Sequence, residues 1–349
     1  MKIKGREIGP GRPAYVIAEM SANHHGELDV ALRIVRAAKE AGADAVKLQT
    51  YTADTLTLKS DREQFRIGKG TIWEGETLYE LYRKAHMPWE WQPALKAEAD
   101  RIGIDLFSSP FDATAVDFLE TLGVPAYKIA SFEIVDLGLI RKTARTGKPM
   151  ILSTGMSTLE EIREAVDAAR GAGAREIAVL KCNSAYPAPP EEMNLRSIPA
   201  LAEALKVPVG LSDHTLGIAV PVAAVTLGAC VVEKHFTLSR ARPGPDSAFS
   251  LEPAEFAAMV AAIRTAEAAL GTAAFGVTPR EAPSRIFRRS LFVVKDVAKG
   301  ELLSAENVRS IRPGHGMHPR HLDEVLGRRA SRDLSKGTPL DPTMFEKGA

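Results

Sequence analysis

The chain has 349 residues, of which 45% are hydrophobic, and its 45 Lys and Arg residues nearly balance 44 Asp and Glu residues. This balance excludes a strong positive field for nucleic acid or an acidic membrane surface, so an anionic ligand must be bound by a local cluster. The length suggests about two domains, one of them large enough to be a barrel of ~250 residues.

Apolar runs that predict strands alternate with helical patterns along the first three quarters of the chain. The predicted strands are 15–20, 45–51, 104–111, 126–131, 148–154, 176–182, 207–211 and 229–232. The predicted helices are 28–41, a short helix within 73–86 that ends before Pro88, and 90–103, 112–122, 137–146, 159–170, 217–228 and 253–270. Eight strands alternating with helices predict an α/β fold, a (β/α)8 TIM barrel with its site at the carboxyl ends of the strands. A long irregular stretch, 52–89, follows the second strand, and such loops are commonly functional.

The pattern changes after Gly271. A proline-rich segment, 278–284, is followed by the short alternating runs 289–294 and 298–301 and by turns around 312–319. We therefore expect a TIM-barrel catalytic domain at 1–275, a linker at 276–288 and a small β-rich C-terminal domain at 289–349.

Cysteine usage and targeting signals predict the compartment. Cys182 and Cys230 lie in or at the end of apolar strand runs, which fits reduced, buried thiols better than a disulfide framework. Residues 1–11 lack the apolar core of a signal peptide, and no uncharged apolar run reaches ~18 residues. We expect a cytoplasmic protein with no membrane segment.

Two histidines follow the last two predicted strands. The strands 207–211 and 229–232 are joined by one short helix, so they should be parallel neighbours, and His214 and His235 should converge. With Asp213 and Glu233 beside them, they form a candidate site for a divalent metal, and mixed ligation of this kind suits Mn²⁺, Mg²⁺ or Co²⁺. The alternative is two unrelated histidines that hydrogen-bond locally, because no fixed motif such as HExxH joins them.

Lysines also occur at the predicted strand ends. Lys47 and Lys128 lie inside strand runs, where an unpaired cation is costly, and Ser153, Thr154 and Ser212 supply hydroxyl donors nearby. This set predicts an anionic ligand that carries phosphate or carboxylate. Each lysine alone fits a structural ion pair with Glu19 or Glu133 equally well.

Eight motifs follow one another along the predicted barrel: AEMSANHHG at 18–26, VKLQTYTADTLTL at 46–58, FSSPF at 107–111, YKIASFE at 127–133, LSTGM at 152–156, KCNSAYPAP at 181–189, GLSDHT at 210–215 and EKHF at 233–236. In this order, and together with the tail, they resemble the nonulosonic (sialic) acid synthase family. The tail, with RPG at 312–314, resembles the antifreeze-protein-like (SAF) domain of that family. The resemblance covers nearly the whole chain.

Three stretches resemble the pseudaminic acid branch of the family more than its sialic or legionaminic acid branches. They are SAN at 21–23, LYELYRKAHMPWEW at 78–91 and DSAFSLEPAEF at 246–256. The branch implies a 6-deoxy-2,4-diacetamido hexose of the altrose series as the sugar. The chain departs from the family at Asn183, where threonine is common.

The resemblance implies a metal-dependent condensation of phosphoenolpyruvate with an open-chain amino sugar, which forms a C–C bond and releases phosphate by C–O cleavage. The catalytic residues that it implies are Glu19, Glu133, His214 and His235, the two histidines also holding the metal. The substrate-binding residues are Asn23, Lys47, Ser109, Lys128, Ser131, Ser153, Asn183, Ser184, Tyr186, Ser212, Glu233, Asp246, Phe287 and Arg312. It also implies a homodimer in which the C-terminal domain covers the partner's barrel, with Arg312 reaching the sugar. A non-catalytic carbohydrate-binding or ice-binding protein is the alternative of a different class.

Overall fold

The computed structural model describes residues 1–68 and 73–346. The chain divides into two compact units, Met1–Gly271 and Thr272–Ala349. Small parts of the predicted loop 52–89 and of the predicted C-terminal domain, namely 69–72 and 347–349, lie outside the described residues.

Within the described residues of the first unit, eight parallel strands close into a barrel in the order β8-β1-β2-β3-β4-β5-β6-β7. Closure pairs β8 with β1 and leaves no strand edge exposed, so the (β/α)8 prediction is confirmed. The strands are β1 Tyr15–Glu19, β2 Ala45–Thr50, β3 Asp105–Pro110, β4 Tyr127–Ile129, β5 Met150–Ser153, β6 Ile177–Cys182, β7 Val209–Asp213 and β8 Val231–His235.

The helices of this unit are α1 Leu28–Glu40, α2 Ala53–Leu56, α3 Leu78–Ala85, α4 Gln92–Ile102, α5 Ala113–Thr121, α6 Leu137–Ala144, α7 Leu159–Gly171, α8 Ser197–Leu205, α9 Ala219–Thr226 and α10 Pro253–Leu270. Local chemistry sets their ends. The Asp112 carboxylate caps α5 by accepting from two backbone N–H groups, and Gly103 ends α4 at a φ of 70°. Helix α8 is absent from the predicted pattern because its first turn contains a proline and lies shortly after the proline-rich run 187–190, a combination typical of a loop.

The last two strands extend further than predicted. β7 runs through Ser212 and Asp213, and β8 runs through Glu233 and Lys234 to His235, so these polar residues belong to the strands. The reason is an ion pair on the helix-facing side of the sheet, where Lys234 Nζ lies 2.5 Å from Asp213 with both side chains fully buried. Pairing removes the penalty that would otherwise end a strand at a charged residue.

The barrel interior is apolar at one end and polar at the other. An N-terminal hairpin, in which Lys2–Ile3 pairs with Arg6–Glu7, adds Ile3 to an apolar cluster that contains Ile17 and Phe107. Strand alternation places Glu19 on the same face as Ile17, one step nearer the carboxyl end. The apolar layer therefore fills the amino-terminal end, and the polar residues gather at the carboxyl-terminal mouth.

The second unit has its own small core. The antiparallel strands β9 Ser290–Val293 and β10 Val308–Ile311, with the short helix α11 Leu322–Val325, surround buried residues that include Leu303 and Leu340. The run 298–301, expected to be extended, is a turn in which Glu301 N donates to Ala298 O. Among the described residues, no helix combines the length and the apolar character that a membrane span requires.

Candidate active site

The two strand-end histidines meet at the mouth of the barrel. Their ring centroids lie 5.3 Å apart, and both side chains are buried. β7 and β8 are hydrogen-bonded neighbours, so the register of the sheet brings the rings together. Phe249 packs against His235 with a ring distance of 4.9 Å, and Tyr186 packs against His214 at 4.3 Å.

The surroundings of each histidine fit a metal ligand. His214 Nδ1 lies 2.7 Å from the Asn183 carbonyl oxygen, which only accepts, so Nδ1 donates, and Nε2 is the atom left for a metal when the ring is neutral. Against the effect of burial, Cys182 and the Asn183 carbonyl raise the pKa of His214, so metal binding would compete with a proton on this ring. Burial, followed by His214, lowers the pKa of His235 well below its usual value, so His235 is neutral, and its buried Nδ1 has no hydrogen-bond partner among the described residues. Neutral imidazoles with free lone pairs are the form that binds divalent metals.

The two carboxylates proposed beside the histidines have other partners. Asp213 accepts from Lys234 and from Thr215, and Glu233 accepts from Lys47. Among residues 1–68 and 73–346, no group of three or more His, Cys, Asp or Glu side chains is arranged to hold a metal ion. A metal at this site would therefore rest on the two histidines, and substrate or water oxygens would complete its coordination.

A buried charge network occupies the floor of the mouth. Lys47 Nζ lies 2.8 Å from Glu233 and 3.3 Å from Glu19, and Lys128 Nζ lies 4.0 Å from Glu233. Gln49 donates to Glu19 at 2.8 Å, a contact that sequence analysis missed because a glutamine in a strand carries no distinctive signal. The ion pairs expected as an alternative to ligand binding are thus present for Lys47, while Lys128 has one distant carboxylate within the part of the chain that the structure describes.

Burial and neighbouring charges shift the pKa values of this network in opposite directions. Burial raises the pKa of Glu19 to about 7 against the effect of Lys47. For Glu233, Lys128 and Lys47 outweigh burial and lower the pKa to about 2. Burial lowers the pKa of Lys128 to about 8. Near neutral pH the network therefore carries two cations, one firmly ionised carboxylate and one carboxylate that is readily protonated, so it tends to be positive.

Glu133 forms a second titratable centre. Burial raises its pKa to about 7 against the opposing effect of Lys128, and its Oε2 atom is buried with no hydrogen-bond partner in the described part of the chain. A carboxylic acid with this pKa can take up and release a proton at neutral pH, which is the property of a general acid or base.

Serine hydroxyls converge beside the charge network. Ser131 Oγ accepts from Gly155 N at 3.0 Å, and a Cβ on Gly155 would lie 2.1 Å from Ser184 Oγ. Only glycine allows this approach, which forms a cradle of donors suited to an anion. The hydroxyls of Ser109 and Ser153 are buried and have no hydrogen-bond partner within residues 1–68 and 73–346, as expected for groups that bind a ligand.

The other predicted residues have different surroundings. Asn23 donates to Phe236 O and Ser250, and Asp246 accepts from Ser21 and Ala22, so both hold the loops around the mouth. Ser212 donates to Glu233 at 3.3 Å, and the Asn183 side chain accepts from Ala185 N at 2.9 Å. Phe287 and Arg312 are exposed and belong to the second unit.

Cys182 was predicted only to be a buried thiol, and it lies at the site. Its sulfur is 3.9 Å from His214 Nδ1, and His214 outweighs burial to lower the pKa of Cys182 to about 7. Both cysteines are free and buried, as predicted. The signal that could have identified this contact is the position of Cys182 and His214 at the ends of the neighbouring strands β6 and β7.

A closed parallel barrel with buried ionisable groups gathered at its carboxyl-terminal mouth is the arrangement of a TIM-barrel enzyme. The chain belongs to the NeuB family, which matches residues 34–274, and its residues 288–346 match the SAF domain. This membership makes it a transferase-type synthase.

Characterised relatives and a solved structure agree with this assignment. The chain is 47% identical to "Pseudaminic acid synthase" of Helicobacter pylori over 96% of this chain and 99% of that protein. It is 40% identical to "N,N'-diacetyllegionaminic acid synthase" of Legionella pneumophila, covering 97% of each. The crystal structure of an N-acetylneuraminic acid synthetase from Leptospira borgpetersenii has a TM-score of 0.72 and 31% identity, covering 81% of this chain and 94% of that chain.

Replacing Lys47 by methionine should destabilise the barrel. Glu19 and Glu233 would lose their shared cation while remaining buried, which costs about 3–5 kcal/mol. Urea unfolding followed by tryptophan fluorescence measures this, because all three tryptophans lie in the first unit. The matched control is Lys142→Met, which breaks the surface pair with Asp117 and should cost no more than about 1 kcal/mol. Equal losses in the two variants would show that the buried network contributes no more than a surface pair.

Proposed function

We propose that the protein condenses phosphoenolpyruvate with 2,4-diacetamido-2,4,6-trideoxy-L-altrose to form pseudaminic acid and phosphate. The proposal rests on the barrel mouth. Two buried lysines and a serine–glycine cradle that can bind an anion lie there beside two histidines that can bind a metal. The identity of 47% with a protein named pseudaminic acid synthase supports the choice of sugar.

Phosphoenolpyruvate would bind at the charge network. Among the described residues, the one carboxylate that Lys128 pairs with is Glu233 at 4.0 Å, and its Nζ donates to Ile129 O at 3.1 Å, so further N–H groups of the ammonium are available to an anion. Ser131 and Ser184, which meet at Gly155, would donate to one anionic end, and Ser109 and Ser153 have unpaired hydroxyls for further contacts. Phosphate and carboxylate replace the hydration that the buried lysines have lost.

The proposed reaction joins C3 of phosphoenolpyruvate to the aldehyde carbon of the open-chain sugar. Water adds to C2, and the C–O bond to phosphate then breaks, which releases inorganic phosphate. Glu133 would exchange a proton with the sugar oxygen, since its pKa of about 7 allows both directions. Glu19, held by Lys47 and Gln49, would orient a hydroxyl of the sugar.

A divalent metal would be held by His214 and His235. Bound there, Mn²⁺, or alternatively Mg²⁺ or Co²⁺, supplies Lewis-acid polarisation of the aldehyde oxygen and of a water molecule. The Asn183 carbonyl fixes the ring of His214, and Phe249 packs against the ring of His235, so the chain itself orients both imidazoles.

The sugar preference tests the proposed function directly. Purified protein with phosphoenolpyruvate and Mn²⁺ should release phosphate with the 2,4-diacetamido altrose. The kcat/KM for this sugar should exceed that for N-acetylmannosamine by about 10- to 100-fold, because an apolar pocket discriminates against a hydroxyl group by up to ~10²-fold. Mass spectrometry of the product completes the assay.

Two other outcomes identify the competing functions. Equal or better turnover of N-acetylmannosamine, or of the legionaminic acid precursor, would assign the chain to the N-acetylneuraminate or legionaminate synthases, the latter represented by the relative with 40% identity. No phosphate release with any of these sugars would favour a non-catalytic carbohydrate-binding protein.

Chelation of divalent metals should abolish phosphate release, and added Mn²⁺ should restore it. His214→Ala and His235→Ala should each lose about 100-fold or more in kcat, because a metal ligand is removed, and titration calorimetry should show weaker Mn²⁺ binding. His321→Ala, which removes a histidine paired with Glu324 in the second unit, is the control and should bind Mn²⁺ normally. Full activity of the chelated protein would exclude the metal.

We also infer a homodimer in which the SAF domain covers the partner's barrel mouth. Apolar side chains on the loops after β4, β5 and β7 support a cover, because Phe132, Met156 and Leu216 are 59%, 65% and 63% exposed. A cover of this kind would exclude water from the reacting carbons. Arg312 and Phe287, exposed on the second unit, would then contact the sugar in the partner's site.

Mixing two inactive variants tests the shared site. An Arg312→Ala chain and a His214→Ala chain should together recover about a quarter of wild-type activity, because half of the dimers are mixed and each mixed dimer has one intact site. Subunit exchange is verified first with differently tagged chains. The absence of recovery would mean that Arg312 acts within its own chain or has no role in the reaction.

A further inference from the structure

The loop that follows β2 carries a tryptophan that no motif singled out. Described residues of this loop form a hairpin-like closure, in which Ile67 N donates to Glu76 O at 2.8 Å and Gly75 N donates to Ile67 O at 3.2 Å. Arg66 and Thr77 form a bridge at its base. Trp73 lies between these paired residues along the chain and is half-buried.

Trp73 contacts the opposite wall of the barrel mouth. Its indole Nε1 donates to Pro245 O at 3.1 Å, and its ring lies 5.7 Å from that of Tyr186. Tyr186 follows β6 and Pro245 follows β8, whereas the loop of Trp73 leaves β2. Three strands separate β2 from β6 in either direction around the barrel, so the loop crosses the mouth.

The rings continue from Trp73 down to the histidine pair. Tyr186 lies 4.3 Å from His214 and 5.2 Å from Phe249, and Phe249 lies 4.9 Å from His235. Trp73, Tyr186 and Phe249, here called the aromatic wall, thus lie on the side of the mouth where the aldehyde would meet the metal. The three rings of the wall carry no charge, whereas the charge network and the serine cradle are built on other residues.

An aromatic surface at this position matches a particular kind of ligand. Tryptophan and tyrosine offer rigid apolar faces with polar edges, and they bind C–H groups of ligands while their N–H and O–H groups remain hydrogen-bonded. A deoxy sugar with two acetamido groups presents three methyl groups, whereas phosphoenolpyruvate presents only charged ends and a vinyl group. The aromatic wall is therefore complementary to the sugar and not to the anion.

We propose that Trp73 is a substrate-binding residue that contacts the methyl-bearing face of the acylated amino sugar and so contributes to selectivity for deoxy, N-acylated sugars. This inference rests on the proposed function, because it assumes a sugar beside the histidine pair. The hydrogen bond to Pro245 fixes the indole beside Asp246, which in turn holds the Ser21 loop. The Trp73–Pro245 hydrogen bond thus connects the loop after β2 to the loop after β8, and Asp246 connects that loop to the one after β1.

Steady-state kinetics with Trp73→Ala and Trp73→Phe test the proposal. Trp73→Ala should raise the KM of the sugar about 5- to 10-fold and leave the KM of phosphoenolpyruvate within about 2-fold, because only the sugar end loses contact area. Trp73→Phe should recover most of the sugar affinity, since it keeps an aromatic face and loses only the bond to Pro245.

Trp89 provides a matched control. Its indole also donates to a backbone carbonyl, Tyr51 O at 3.2 Å, and its ring stacks on Phe118 at 4.9 Å, away from the histidines. Trp89→Phe should leave both KM values unchanged. Sugar binding should also change the tryptophan fluorescence of the wild type and of Trp89→Phe but much less that of Trp73→Phe, a signal that a purely structural role would not produce.

The outcomes separate this inference from the proposed function. The variants are assayed with whichever sugar of the panel the wild type turns over. An unchanged sugar KM in Trp73→Ala, or an equal rise in the KM of both substrates, overturns the role of Trp73 and leaves the synthase activity standing. If the wild type turns over no sugar at all, the proposed function fails, and this inference fails with it.

Discussion

The structure depends on the burial of four charged side chains inside a closed barrel. Glu19, Lys47, Lys128 and Glu233 are each less than 5% exposed, and a single unpaired ion at such a depth costs several kcal/mol. The strand register solves this problem, because Glu19 lies beside Lys47 on adjacent strands. A slip of one residue in the strand register would turn one of the charges toward the helices and leave its partner unpaired. The charge network therefore stabilises this register over its alternatives.

The final strand serves two layers of the protein at once. Glu233 and His235 point into the mouth, while Lys234 between them points outward to Asp213. The same alternation on β7 places Ser212 inward and Asp213 outward. The outward pair keeps the backbone extended through the last residues of both strands, and it therefore fixes the positions from which the two histidines approach each other. The apolar layer deeper in the barrel provides the rigid base for this arrangement.

Sequence periodicity was sufficient for the barrel, because apolar runs and helical patterns report burial directly. Motif positions also located the polar residues at the mouth.

The partners of the buried charges were harder to predict. Asp213 was grouped with the histidines, yet it belongs to the helix-facing side with Lys234, and a pattern of buried positions does not reveal which partner a charge has. The contact of Trp73 with Tyr186 was missed for a related reason, since it joins loops from opposite walls that only the closed fold brings together. The turn at 298–301 was missed because its pattern spans too few residues to be distinctive, and helix α8 was missed because the proline in its first turn is typical of a loop.

The chain order of the site has a consequence for protein synthesis. Glu233 and His235 lie on β8, the strand that joins β1 to β7 and closes the barrel. Until that strand has emerged from the ribosome, Lys47 has only one of its two carboxylates and β1 has an open edge. A nascent chain that ends before β8 thus has charged residues that lack the partners they have in the folded barrel, and it has an unpaired strand edge. Chaperones bind and proteases cleave chains with such features. When β8 is added, the charges are paired and the open edge of β1 is closed. Chains truncated before β8 are therefore degraded more readily than the complete barrel.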